Sequence, residues 1–237
     1  HSFMRSTVPF LVVNPKSYLY GEAALALARA ADAAAKKTGL RIYFTCPFSD
    51  IRYIHAHTDA IIVTAQAMES LRPGRGMGHL LPEALHEAGA RATFLNHAEH
   101  PMTLAELTKT IPRAREVGIE TIVCADSLAE GTAVAALHPD ILLCEPTDLI
   151  GTGKTADDNY TTSIVAKIRS IDPSIGIMIA SGITTADDVY RVVQLGADGS
   201  GATSGILNAP DPGKRIMEMA EAIIRAASKR NPTDNAA

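Results

Sequence analysis

Residues 121–145 read TIVCADSLAEGTAVAALHPDILLCE, and this stretch decides the fold. Thr121–Ala125 and Ile141–Glu145 are short apolar runs rich in β-branched residues. Neither alternates polar with apolar residues, so each reads as a strand buried on both faces. Leu128–Leu137 lies between them with the composition of a helix. A strand, a helix and a second buried strand in close succession form a parallel β/α/β unit. The pattern continues in both directions. Phe10–Asn14, Leu40–Thr45, Ala60–Ala65, Ala92–Asn96, Gly176–Ala180 and Gly199–Thr203 are further strand-like runs, the last Gly-rich and the weakest by propensity. Glu22–Lys37, EAALALARAADAAAKK, consists of strong helix formers and stops at Thr38-Gly39. Leu104–Val117, Thr161–Ile171, Ala186–Leu195 and Pro212–Ala227 also carry helical periodicity. Eight strand-like runs in 237 residues predict an α/β fold, a single closed (β/α)8 TIM barrel. The alternative is an open doubly wound sheet, which as a rule has fewer strands.

The composition narrows the function. A net charge of -4 gives no basic field for nucleic acid or an anionic membrane. No apolar run approaches the ~18 residues of a spanning helix. The three cysteines, Cys46, Cys124 and Cys144, are an odd count without close pairs. They read as buried structural thiols in a reducing, cytoplasmic protein. No linker divides the chain, so one domain over residues 4–228 is expected. His1–Phe3 reads as a cloning remnant ahead of Met4, and residues 229–237 as a disordered polar tail. What remains is chemistry on a small molecule.

In parallel barrels functional residues stand at the C-terminal ends of the strands. Run one ends in Asn14-Pro15-Lys16, run four in Asn96-His97-Ala98-Glu99 and run six in Cys144-Glu145-Pro146. An ammonium, an imidazole and a carboxylate would therefore converge on one mouth. Glu145 ends a buried strand, where charge is costly. His97 is placed where a helix could begin, and helix N–H groups would keep its ring neutral. Ile150-Gly151-Thr152-Gly153-Lys154-Thr155-Ala156 superficially suggests a P-loop, but Asp148 stands where that motif needs glycine. The stretch can still offer N–H groups to one phosphate and act as a lid. Ser181-Gly182 and Ser204-Gly205 follow runs seven and eight, where phosphate sites of this fold lie. His55 and His57 form H-x-H without Cys or carboxylate partners at metal-ligand spacing, so they read as surface helix and no metal is expected on them.

Asn14-Pro15-Lys16, Asn96-His97-Ala98-Glu99, Cys144-Glu145-Pro146 and Ile150–Ala156 together resemble the triosephosphate isomerase family. The likeness runs roughly over residues 12–212, and the loop Arg72–Ala84 is closest to the short archaeal-type branch. The resemblance implies a cofactor-independent isomerase of sugar phosphates, of the glycolytic and gluconeogenic kind. Glu145 would be the base, and neutral His97 would polarise the carbonyl. Lys16 would supply positive charge, Asn14 would orient the oxygen, and Glu99 would be a supporting carboxylate. Gly153, Ser181, Gly182, Ser204 and Gly205 would hold the phosphate. The resemblance also implies a homodimer or homotetramer in which the Arg72–His79 loop enters the neighbouring subunit.

Several positions depart from the family pattern: Pro15, Met77, Thr147-Asp148-Leu149, and the small residues of runs seven and eight. Interconversion of dihydroxyacetone phosphate and glyceraldehyde 3-phosphate is the leading expectation. The same chemistry on a tetrulose phosphate, such as L-erythrulose 1-phosphate, is the alternative. A non-catalytic phosphosugar-binding protein and a class I aldolase using Lys16 as Schiff-base amine stand behind these.

Overall fold

In the computed structural model, which describes residues 8–145 and 157–230, the deciding stretch folds as a β/α/β unit. Strand β5 (Glu120–Ala125) leads to helix α5 (Leu128–Ala135), which returns to strand β6 (Ile141–Cys144) beside it in parallel. Ser127 starts α5 by accepting a hydrogen bond from Glu130 N at 3.1 Å. The other strands are β1 (Phe10–Val13), β2 (Arg41–Cys46), β3 (Ile62–Ala65), β4 (Ala92–Leu95), β7 (Gly176–Met178) and β8 (Gly199–Ala202). Each pairs in parallel with its sequence neighbour, and β8 pairs with β1 to close the barrel. The other long helices are α1 (Gly21–Thr38), α4 (Leu104–Val117), α6 (Asp158–Ile171), α7 (Ala186–Gln194) and α9 (Pro212–Ser228). Three short α-helices, α2 (Ile51–Ala56), α3 (Pro82–Ala88) and α8 (Ser204–Leu207), and a 3-10 turn at Phe48–Asp50 complete the described elements.

Alternation along each strand sorts the core into two clusters. Phe10, Val12, Tyr43, Phe94, Ile122, Ile141, Leu143 and Met178 fill the lumen. Leu11, Val13, Val123, Leu142 and Ile177 pack outward against the helices. Strand β8, Gly-Ser-Gly-Ala, carries almost no side chain of its own. The reason is steric. A Cβ at Gly199 would lie 2.5 Å from the Phe10 ring, and one at Gly201 2.6 Å from Val12 O and 2.8 Å from Met178 Cε. The neighbours' large side chains therefore occupy the space that β8 leaves. Phe10 and Tyr43 meet edge to face at 5.7 Å, and Tyr43 Oη donates to Glu120 Oε2 at 2.8 Å.

The same alternation carries functional residues to the mouth. Asn14 continues the inward series Phe10–Val12, and Glu145 continues Ile141–Leu143. At the chain's end, Lys229 and Arg230, read from the sequence as the start of the tail, are held in place. Arg230 donates to Ala197 O at 3.0 Å and Gly196 O at 3.1 Å, and Lys229 lies over the Tyr190 ring. Cys46, Cys124 and Cys144 are buried free thiols. Among the described residues no helix is long and apolar enough to cross a membrane.

Candidate active site

A cavity of about 450 Å³ opens at the C-terminal mouth of the barrel. Asn14, Lys16, His97, Glu145, Gly182 and Ser204 all line it, over a floor of Val12, Phe94, Leu143 and Met178. Asn14 N extends the β1–β8 ladder by donating to Ala202 O at 3.3 Å. Asn14 Oδ1 accepts from Lys16 N at 3.0 Å, which folds the chain into an Asx turn. That turn puts Lys16 at φ 51, a conformation rare outside glycine, and Gln66 Nε2 secures it by donating to Lys16 O at 2.8 Å. The Lys16 ammonium pairs with Glu99 Oε2 at 2.5 Å.

His97 sits in a turn, not at a helix start. Helix α4 begins seven residues later at Leu104, capped by Thr103, so the expected helix N–H groups are not what acts on the ring. Its neutrality has another origin. Burial of the ring pushes its pKa down, and Lys16 adds to this while Glu99 opposes it. Glu99 N donates to His97 Nδ1 at 3.0 Å. A nitrogen that accepts cannot carry the proton, so the neutral ring bears its N–H on Nε2.

Glu145 follows β6, its N donating to Ala125 O at 2.9 Å. Burial raises its pKa, with Lys16 and the Ser181 hydroxyl pulling the other way. Ser181 Oγ reaches Glu145 Oε2 at 3.5 Å, a long bond. Asp157, not Glu145, caps α6 by accepting from Tyr160 N at 2.7 Å.

The expected phosphate residues divide. Gly182 and Ser204 face the cavity. Ser181 is buried with its hydroxyl on Glu145. Gly205 lies where a Cβ would come within 2.6 Å of Ile183 O, so only glycine lets the loops after β7 and β8 close together. Gly153 and the lid motif lie outside the described residues. Tyr18, Leu19, Thr203, Leu207 and Asn208 also line the cavity and were not anticipated. They stand in loops or in the four-residue helix α8, with no periodicity or charge pattern to mark them. Among the described residues no group of three or more His, Cys, Asp or Glu could hold a metal ion.

A parallel barrel with a half-buried carboxylate, a neutral N–H-bearing imidazole and an ammonium around one cavity has the groups of an isomerase that moves a proton beside a carbonyl. The family model described as triosephosphate isomerase matches residues 9–223. A triosephosphate isomerase from Methanobacterium bryantii is 34% identical over 220 residues, 91% of this chain and 97% of that protein. Those of Methanoculleus marisnigri and Methanopyrus kandleri are each 36% identical. The alignments cover 86% and 90% of this chain, and 94% and 96% of those proteins. The chain belongs to the triosephosphate isomerase family.

Proposed function

We propose that this protein interconverts dihydroxyacetone phosphate and glyceraldehyde 3-phosphate through an enediolate. The observation that carries the reading is the meeting of Glu145, His97 and Lys16 on one cavity. Glu145 takes a proton from the carbon beside the substrate carbonyl. The His97 Nε2–H donates to the carbonyl oxygen as its charge grows, and Lys16 stabilises that charge. Glu145 then returns its proton to the neighbouring carbon, while His97 relays the oxygen-bound proton. This division between a carboxylate base and a neutral imidazole is the one long established for triosephosphate isomerase. Asn14 orients the oxygen, and Glu99 supports Lys16.

Gly153, Ser181, Gly182, Ser204 and Gly205 hold the phosphate, Ser181 and Gly205 through backbone groups. For Gly153 the support is the Gly-Thr-Gly motif alone. Ser204→Glu puts a negative charge beside the dianion, so KM for the phosphorylated substrate should rise with the fold intact. An unchanged KM would move the phosphate elsewhere.

The relatives' names favour the triose over the tetrulose substrate. The test compares kcat/KM across phosphorylated trioses and tetruloses. Highest efficiency on dihydroxyacetone phosphate or glyceraldehyde 3-phosphate supports the reading. Preference for a tetrulose phosphate would replace it. The ion pair with Glu99 engages Lys16 as an ammonium, not the free amine an aldolase needs. Borohydride in the presence of substrate should trap no adduct on Lys16.

The active unit is a homodimer or homotetramer of one domain each, spanning residues 4–228. A second cavity of about 230 Å³ lies beside the first, lined by Asn14, Lys16, Thr45, Phe48, Gln66 and Glu99 among others. It is proposed to receive the Arg72–His79 loop of a second copy, whose Met77 is 99% exposed in the single chain. The buried free thiols suit a reducing compartment, and the cytoplasm is the proposed location.

A further inference from the structure

We propose that Asn96 is a positioning residue that turns His97 into the active site, and that Glu130 on α5 holds Asn96 in that role. The proposal rests on the reading of His97 as the group that polarises the carbonyl. Along β4, Ala92 and Phe94 face the lumen, while Leu95 packs outward. If the alternation continued, Asn96 would face the cavity and His97 would face away. The structure has the reverse. His97 lines the cavity, and Asn96 lies outside it against β5 and α5.

The exchange happens at Asn96 itself, whose φ is 58. Asparagine is among the few non-glycine residues that enter this region readily. Its amide is held on three sides. Asn96 Nδ2 donates to Cys124 O at 3.0 Å and to Glu130 Oε1 at 2.9 Å. Asn96 Oδ1 accepts from Met102 N at 2.9 Å. A flipped amide would set N–H against N–H and oxygen against two oxygens, so one orientation is fixed. The partners come from the end of β5, the first turn of α5 and the segment before α4. Beyond Asn96 the turn is closed by His100 N donating to His97 O at 2.8 Å and Glu99 N to His97 Nδ1 at 3.0 Å. The ring is thus clamped from both sides of its own residue. The backbone that carries Glu130 is anchored at the start of α5, its N donating to Ser127 Oγ at 3.1 Å.

Asn96→Gly tests this, because glycine keeps the left-handed backbone open and removes the amide. With dihydroxyacetone phosphate as substrate, kcat is expected to fall ~10–100-fold with KM within about threefold, the pattern of a misplaced reacting group. Nitrogen NMR of the histidine rings in the free protein gives the second readout. The His97 signals should move from the single Nε2–H tautomer toward a mixture, and its pKa should rise toward that of a solvated ring. Asn96→Asp, which sets oxygens against Cys124 O and Glu130, should do the same. Glu130→Leu should act in the same direction, and Glu130→Gln, which keeps an oxygen toward the amide, should act less. A lowered Tm with kcat and ring signals unchanged in Asn96→Gly would overturn the proposal. The NMR needs no turnover, so an inactive wild-type protein would sink the isomerase reading and leave this one to be judged on the ring signals.

Discussion

A carboxylate that must act as a base is useful only once its proton has left, and burial holds that proton on. Glu145 lives under this opposition: burial raises its pKa above the usual 4.5, and Lys16 and Ser181 bring it partway back. The ionised base is lost as pH falls through that raised value, so the acid limb of kcat/KM should lie above pH 4.5. Ser181→Ala removes one of the two lowering partners and should move the limb to higher pH; an unmoved or lowered limb would remove Ser181 from this role. Glu145→Gln should lower kcat by about 10²–10⁴-fold with little change in Tm, and near-wild-type turnover would end the mechanism. His97 is shifted the opposite way, so its ring takes up a proton only at a pH below the usual 6.5. Lys16, His97 and Glu145 were legible because the ends of parallel strands meet at one mouth. The cause of the imidazole's neutrality was not legible, since burial and a single bond from Glu99 N leave no mark in the order of residues. Nor was the bond from Ser181 to Glu145, whose loops stand 36 positions apart.

At the scale of elements, α1 shows how the barrel fixes its outer ring. Asp32, buried on α1, accepts from the backbone N–H groups of Asp59, Ala60 and Ile61, just before β3. Burial alone would raise its pKa, but these bonds and Lys36 outweigh that and leave it below the usual 3.8. The stabilisation is therefore present above pH 3.8 and is lost as pH falls through the lowered value. Asp32→Ala leaves three donors to find new partners and should cost about 1–3 kcal/mol in urea unfolding at neutral pH. A cost near zero would show that water replaces the carboxylate. All eight strands and the long helices were readable from apolar runs and periodicity. The helices α2 and α3, of six and seven residues, were not, being too short to establish a period. Strand β8 was the weakest by propensity because its stability resides in Phe10, Val12 and Met178, side chains that belong to other strands.

Over the whole molecule, the Arg72–His79 loop is braced within the single chain. Buried Arg113 donates to Ser70 O at 3.2 Å and Leu71 O at 2.9 Å at its base. Arg72 grips Glu116 with two bonds, and Glu69 holds both His79 and Leu80 N at the far end. A loop so braced presents Met77 at little entropic cost. In the proposed dimer Met77→Glu would bring a carboxylate toward Glu99 in the 230 Å³ cavity, so light scattering should report monomers, with reduced kcat because Lys16 and His97 line that same cavity. An intact oligomer would place the interface on another face. The barrel closes at the seam where β8 meets β1. The ribosome delivers the first strand about 190 residues before its second neighbour (residue 10 against residue 199). Any parallel sheet formed in that interval has two bare edges, and bare edges can pair with other extended chains. Completion of the ring removes both edges at once. Arrest of translation short of β8 would therefore yield a sticky fragment rather than a smaller barrel, and the last strand, poorest in side chains, is the one that leaves the sheet without an edge to offer.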